Sequence, residues 1–93
     1  MTSYRVVLTP AAQRQLGGLR GSVLIALRGV ILALGIDPLP RGSLKLSGSD
    51  DLWRIRLRID GQPWRVIYQL RPKEKTVVVT RVARRDEGTY RAL

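Results

Sequence analysis

The order of elements along the chain predicts an α+β domain: a small twisted antiparallel sheet of about four strands, with two N-terminal helices on one face. Three observations carry this. A short β-branched stretch is followed by a helical run and then by strand-like segments. Residues 53–59 alternate apolar and charged without a fault. Turn signals at Asp60-Gly61 and at Pro72-Lys73-Glu74-Lys75 separate that segment from two further β-rich ones. The 93 residues, 44% of them hydrophobic, read as a single domain, 1–93, able to bury a core.

Residues 4–8, Tyr-Arg-Val-Val-Leu, form the first strand. Thr9 is a good helix N-cap, and Pro10 suits the first helical position, where its missing N–H costs nothing. The first helix runs from Pro10 to about Leu19, with Gly17-Gly18 or Gly21 as its break. Ser22 is placed to cap a second helix over 23–34. Leu16, Leu19, Val23, Leu27, Val30 and Leu34 recur every three or four residues, one stripe of an amphipathic surface. Gly35 ends the helix, and Asp37-Pro38-Leu39-Pro40 is a stiff connector. Strands over 53–59, 64–70 and 76–83 complete the sheet, and Trp53, Ile55, Leu57 and Ile59 face the helical stripe. The tail from Arg84 to Leu93 is polar and basic, with room for a short terminal helix.

Composition removes whole classes of chemistry. There is no Cys and no His, so thiolate catalysis, disulfides, Ser-His-Asp triads and zinc sites built on N and S ligands are out of reach. No metal and no cofactor is expected. The longest apolar stretch, Val23 to Leu34, is broken by Arg28 and Gly29, and lies far below the roughly 20 residues of a membrane span. A cytoplasmic protein with no membrane partner is expected.

Seventeen Lys+Arg against seven Asp+Glu give a formal net charge of +10. Fourteen of the cations are Arg, whose planar fork matches phosphate oxygens. A GC-rich genome also writes Arg for Lys, but that does not produce +10. Eleven of the seventeen lie in residues 49–93. The excess points to an anionic partner.

Alternation sets Arg54, Arg56 and Arg58 on the sheet face opposite Trp53, about 6–7 Å apart along the strand. Arg65 on the next strand and Arg81 on the third approach the same face, forming a cradle for phosphates. The plain alternative is a solvated outer face, but like charges on paired strands repel, which favours a bound anion. Tyr90, alone among basic residues in the tail, either stacks on a base or pins the C-terminus.

The series Tyr4-Arg-Val-Val-Leu-Thr-Pro-Ala-Ala12, Leu16 to Leu19, Asp37-Pro38, Lys45-Leu46, Trp53-Arg-Ile-Arg-Leu57, Trp64-Arg-Val-Ile-Tyr68 and Val82-Ala-Arg-Arg85 ahead of Tyr90-Arg91 resembles the RelE/ParE superfamily of bacterial type II toxins. The resemblance runs from residue 4 to about 91, and Trp64-Arg-Val-Ile-Tyr68 is its most telling piece. It implies a microbial-RNase-like fold and a toxin that enters the ribosomal A site and cuts mRNA. A ribose 2′-OH attacks the adjacent phosphate, leaving a 2′,3′-cyclic phosphate and a 5′-OH. Residue by residue, the resemblance implies a catalytic set of Arg54, Arg56, Arg65, Arg84 or Arg85, and Tyr90. Lys45, Arg58, Arg81 and Arg91, outside that set, are expected to bind RNA. A cognate acidic antitoxin, mRNA and the ribosome are the implied partners, with DNA met only by the toxin–antitoxin complex on its operator.

Two departures bear on this. The best-studied RelE-type enzymes carry Lys where this chain has Arg54 and Arg56, and Arg does not serve as a base. Tyr90, Glu87, or the RNA and ribosome themselves remain for that role. The Asp60-Gly-Gln-Pro63 stretch also reads as a longer loop than the family's compact hairpin. Three functions stay open: the RNase, a ParE-type non-enzymatic inhibitor of DNA gyrase, and a non-toxic nucleic-acid-binding module.

Overall fold

Thr9 and Pro10 turn the chain from β1 (Arg5–Leu8) into α1 (Pro10–Gly17), as the sequence predicts. The Thr9 hydroxyl oxygen accepts a hydrogen bond from the Ala12 N–H at 3.2 Å, satisfying one of the helix's orphan donors. The structure is a computed structural model, and it describes residues 3–85. The first helix stops at Gly17, and α2 (Gly21–Ala33) begins where Gly21 takes a φ of 63°. Ser22 therefore lies inside the first turn rather than capping it. Its hydroxyl donates to the Asp60 carboxylate, tying α2 to a distant turn.

Strand β2 (Ser43–Lys45) follows the connector, then β3 (Leu52–Ile59), β4 (Gln62–Arg71) and β5 (Thr76–Arg84). Among the described residues the sheet has five strands, in the order β1-β5-β4-β3-β2. The α+β architecture with two helices stands. The strand count is one higher than expected, and β1 lies parallel to β5, so the sheet is mixed. The three residues of β2 are too few to show alternation. Parallel pairing of β1 depends on where the helical crossover returns the chain, which no local pattern encodes.

The β3–β4 hairpin is tight. Ile59 pairs with Gln62, and Asp60 and Gly61 both have positive φ, 51° and 78°. That is the two-residue turn whose twist matches its strands. The longer loop expected over Asp60–Pro63 is not present, because Gln62 and Pro63 already belong to β4.

The core lies between the helices and one sheet face. Leu27, Ile31 and Leu34 of the α2 segment meet Trp64, Val66, Tyr68, Val77, Val79 and Val82, with Trp53, Ile55 and Leu57 packed at its margin. Ile31 occupies the place expected of Val30, since both i+3 and i+4 from Leu27 fall on the stripe and the packing of α2 selects the second. Gly35 ends the helix against β1. A Cβ there would lie 2.9 Å from the Tyr4 carbonyl oxygen, and the Tyr4 N–H donates to the Gly35 carbonyl at 2.7 Å. Among the described residues no helix is long and apolar enough to cross a membrane.

Candidate nucleic-acid interface

Cross-strand register sorts the arginines into rows over β3, β4 and β5. Arg54, Ile67 and Arg81 form one row; Arg56, Arg65 and Ala83 form the next. Arg58 pairs with Pro63, whose carbonyl accepts the Arg85 N–H at 3.1 Å, making a third. Rows repeat about every 6–7 Å and neighbouring strands lie about 4.7–4.9 Å apart. Six arginines thus share one face, turned away from the helices.

Arg65 stands at the centre. It is 4% exposed, the one buried charged residue among those described. Its row neighbours are Arg56 on one side and the small Ala83 on the other. Arg56 and Arg58 are exposed, and Arg54, Arg81 and Arg85 are half-buried. Arg58 donates to the Gly61 carbonyl at 3.3 Å and so leans toward the hairpin turn. Ile67, 8% exposed, is buried outside the main core, between Arg54 and Arg81 in register. Arginine stems cover apolar surface in this way while their heads reach solvent or a ligand.

The Trp64-Arg-Val-Ile-Tyr68 segment divides between the faces. Arg65 points to the basic face, and Trp64, Val66 and Tyr68 enter the core. The Tyr68 hydroxyl donates to the Pro38 carbonyl at 2.7 Å and so fastens the stiff connector to β4. Burial pushes its pKa up; a hydrogen bond with Ser43 opposes this, and the Asp37 charge adds to it.

Not every expected residue joins the cluster. Arg84 pairs with Trp64 and therefore lies on the helix-side face, so Arg85 is the member of that pair that reaches the rows. Lys45 pairs with Trp53, also on the helix side, at the sheet edge. Tyr90, Arg91 and Glu87, and the stretch where a short terminal helix is expected, lie outside the described residues.

A feature the sequence reading missed places Arg81 and Arg85 in the cluster. Val77 and Val79 both point into the core, so strict alternation would send residues 81, 83 and 85 there too. Ile67 pairs with Arg81 and Tyr68 with Val79, leaving Thr80 as an extra residue. This β-bulge reverses the alternation: Val82 enters the core, and Arg81 and Arg85 turn outward. The signal was present as Thr80 among valines, but a bulge has no one-strand signature.

Chemically the rows offer fixed positive charge and many donors, and no group that takes up a proton. Such an array binds phosphates and stabilises charge building on them. Among the described residues no group of three His, Cys, Asp or Glu comes together to hold a metal ion. A hollow of about 450 Å³ lies on the other side of the sheet, between α1 and α2, lined by Leu8, Leu16, Leu19, Leu24 and Ile31.

Residues 6–88 match the family model described as the ParE toxin of the type II toxin–antitoxin system parDE. The chain belongs to this toxin family. The RelE/ParE resemblance is thereby borne out, and the chain is a toxin of the type II class. Comparison with curated protein sequences gives no match. Solved structures agree on the fold. A free mutant of the E. coli toxin RelE superposes with a TM-score of 0.78 at 21% identity, covering 98% of this chain and 93% of that one. The RelBE2 toxin–antitoxin complex of Mycobacterium tuberculosis gives 0.76 at 27% identity, over 90% of this chain and 100% of that one. The RelE–RelB complex of the archaeon Pyrococcus horikoshii gives 0.72 at 27% identity, over 92% and 99%.

Proposed function

We propose that this toxin is a ribosome-dependent mRNA endonuclease acting in the cytoplasm. The observation that carries the reading is the central row: Arg65, almost wholly buried, directly opposite Arg56. Side chains of this length and charge are seldom buried at a structural position, and like charges on paired strands repel. Two guanidinium groups fixed side by side on a rigid sheet are pre-aimed donors for phosphate oxygens. An RNA phosphate entering over β4 takes two non-bridging oxygens to Arg65, with Arg54 and Arg56 on one flank and Arg81 and Arg85 on the other. As the 2′-OH attacks, the phosphorane gains charge where these donors already stand, and their hold strengthens. Tyr90 is the aromatic on which a nucleobase would stack. The base comes from Tyr90, Glu87, or the RNA and ribosome, since no arginine supplies it.

The cognate partner is an acidic antitoxin. The RelBE2 and RelE–RelB structures are toxin–antitoxin complexes, and the net charge of +10 suits an acidic segment that folds on binding. Such a segment lies over the basic face and keeps RNA away. Operator DNA is met only within that complex.

The matching family model is that of ParE toxins, which favours the second reading, inhibition of DNA gyrase without catalysis. One paired experiment separates them. Purified toxin is added to mRNA-programmed ribosomes, with 5′ ends mapped by primer extension, and to a gyrase supercoiling assay. The RNase reading expects A-site cuts that need the ribosome, and unaffected supercoiling. Blocked supercoiling with intact mRNA would overturn it.

A further inference from the structure

Beyond Val79, β1 no longer accompanies β5: their register ends at the pair Leu8 and Val79. The next stretch of β5, from the Thr80 bulge to Arg84, would present an open edge. Helix α1 closes it. The Thr9 N–H donates to the Val79 carbonyl at 3.0 Å, and the Thr9 hydroxyl donates to the Thr80 carbonyl at 3.3 Å. The Gln15 side-chain oxygen then accepts the Val82 backbone N–H at 2.6 Å. On the β4 side, the Thr80 hydroxyl donates to the Ile67 carbonyl at 3.2 Å. The bulged residue is held by backbone and side-chain bonds from both neighbours.

Gln15 is unusual among these contacts. It reaches from a helix to a strand amide two residues past the bulge, between the two arginines whose direction the bulge sets. Asn and Gln amides offer a carbonyl oxygen to a lone backbone N–H, and a half-buried N–H without such a partner is costly. Without this acceptor, the Val82 N–H turns to water and β5 loosens past the bulge. A looser β5 no longer holds Arg81 and Arg85 in one direction.

We propose that Gln15 is a positioning residue for the arginine rows: by accepting the Val82 N–H it holds β5 past the Thr80 bulge and aims Arg81 and Arg85 at the RNA phosphate. The effect on cleavage rests on the RNase reading; the effect on arginine placement does not.

The test compares wild type with Gln15→Met, which keeps the length of the side chain but removes the acceptor, and Gln15→Glu, which restores it. Semisynthetic replacement of the Val82 amide by an ester removes the donor and leaves every side chain unchanged. NMR reads Val82 amide exchange and the Nε–H signals of Arg54, Arg81 and Arg85 in the whole chain. Ribosome-dependent cleavage gives kcat and KM. In Gln15→Met, Val82 exchange accelerates, and the Arg81 and Arg85 signals move while that of Arg54 stays. The kcat falls on the order of ten- to a hundredfold with little change in KM. Gln15→Glu restores the slow Val82 exchange and returns kcat toward wild type, and the ester moves the arginine signals as Met does. Unmoved Arg81 and Arg85 signals in both the Met variant and the ester would overturn the proposal. So would an equal loss of kcat in Gln15→Met and Gln15→Glu. If wild-type toxin cuts no mRNA, the RNase reading falls, and the arginine signals still decide the role of Gln15.

Discussion

The two faces of strand β4 are built from alternate residues of one segment, and they are buried for opposite reasons. On the helix side Trp64, Val66 and Tyr68 leave water to join the apolar core, with Leu27 and Leu34 from the α2 segment. That burial drives folding, at about 25 cal/mol per Å² of apolar area. On the other side Arg65 and Ile67 are buried as well, at 4% and 8% exposure, but on the face away from α1 and α2; Arg56 and Ala83 flank Arg65 in register, and Arg54 and Arg81 flank Ile67. This burial opposes folding wherever it desolvates charge. The contrast teaches that burial alone does not mark a core. In one strand, even-numbered residues hold the fold and Arg65 draws on that stability to stay in place.

The sharpest way to break the contrast is to remove the central cation. Arg65→Ala is expected to lose on the order of 10²–10³ in cleavage rate, as loss of one charge-stabilising donor typically does. Arg65→Met is expected to lose the same activity while its melting temperature stays near that of wild type, since Met fills much of the same buried volume. Primer extension and thermal unfolding of the two variants check this; a large drop in melting temperature for Arg65→Met would place Arg65 with the core instead.

The helix-side face should answer in the reverse sense. Leu27→Ala, at a site with no exposure, is expected to cost about 2–5 kcal/mol in denaturant unfolding. Any loss of cleavage should follow the folded fraction alone. Gly35→Ala is expected to cost about 1–3 kcal/mol, because its Cβ would meet the Tyr4 carbonyl at 2.9 Å and Val6 Cγ2 at 3.1 Å. Chemical denaturation of that variant, with activity per folded molecule unchanged, places the contact wholly on the structural side.

Smaller effects sharpen the comparison. Binding of single-stranded RNA should weaken with salt, with a log–log slope of about −0.7 per phosphate contacted. Arg58→Ala should make that slope shallower by about 0.7, because Arg58 sits at the rim of the rows and adds one contact. Fluorescence anisotropy over a salt series measures both; a slope unaffected by salt or by Arg58 would contradict the basic face as a phosphate surface. The smallest effect concerns Tyr68. Its raised pKa means the folded state holds the phenolic proton more tightly than the unfolded chain. Its contribution is therefore full below the ordinary value of 10.0 and is lost as the pH rises through the higher folded value. Tyr68→Phe should cost about 1 kcal/mol at neutral pH, through loss of the bond to the Pro38 carbonyl, and should flatten the alkaline fall. Unfolding measured from neutral to strongly alkaline pH reads both.

By itself the sequence determined the features that depend on local periodicity and local chemistry. The alternation over 53–59 set Trp53 and Arg54 on opposite faces, Thr9-Pro10 started α1, and Asp60-Gly61 turned the hairpin. It also carried the family series and the charge of +10 that point to a toxin with an anionic partner. Tertiary structure decided what depends on partners far along the chain. The parallel seat of β1 beside β5, the short β2, and Ile31 in place of Val30 follow from packing. So does the choice of Arg85 over Arg84 for the basic face. That choice rests on one extra residue, Thr80, which reverses alternation only because β4, Thr9 and Gln15 hold the bulge from both sides. Alternation is a property of a strand alone, but its phase after a bulge is set by the hydrogen bonds of its neighbours.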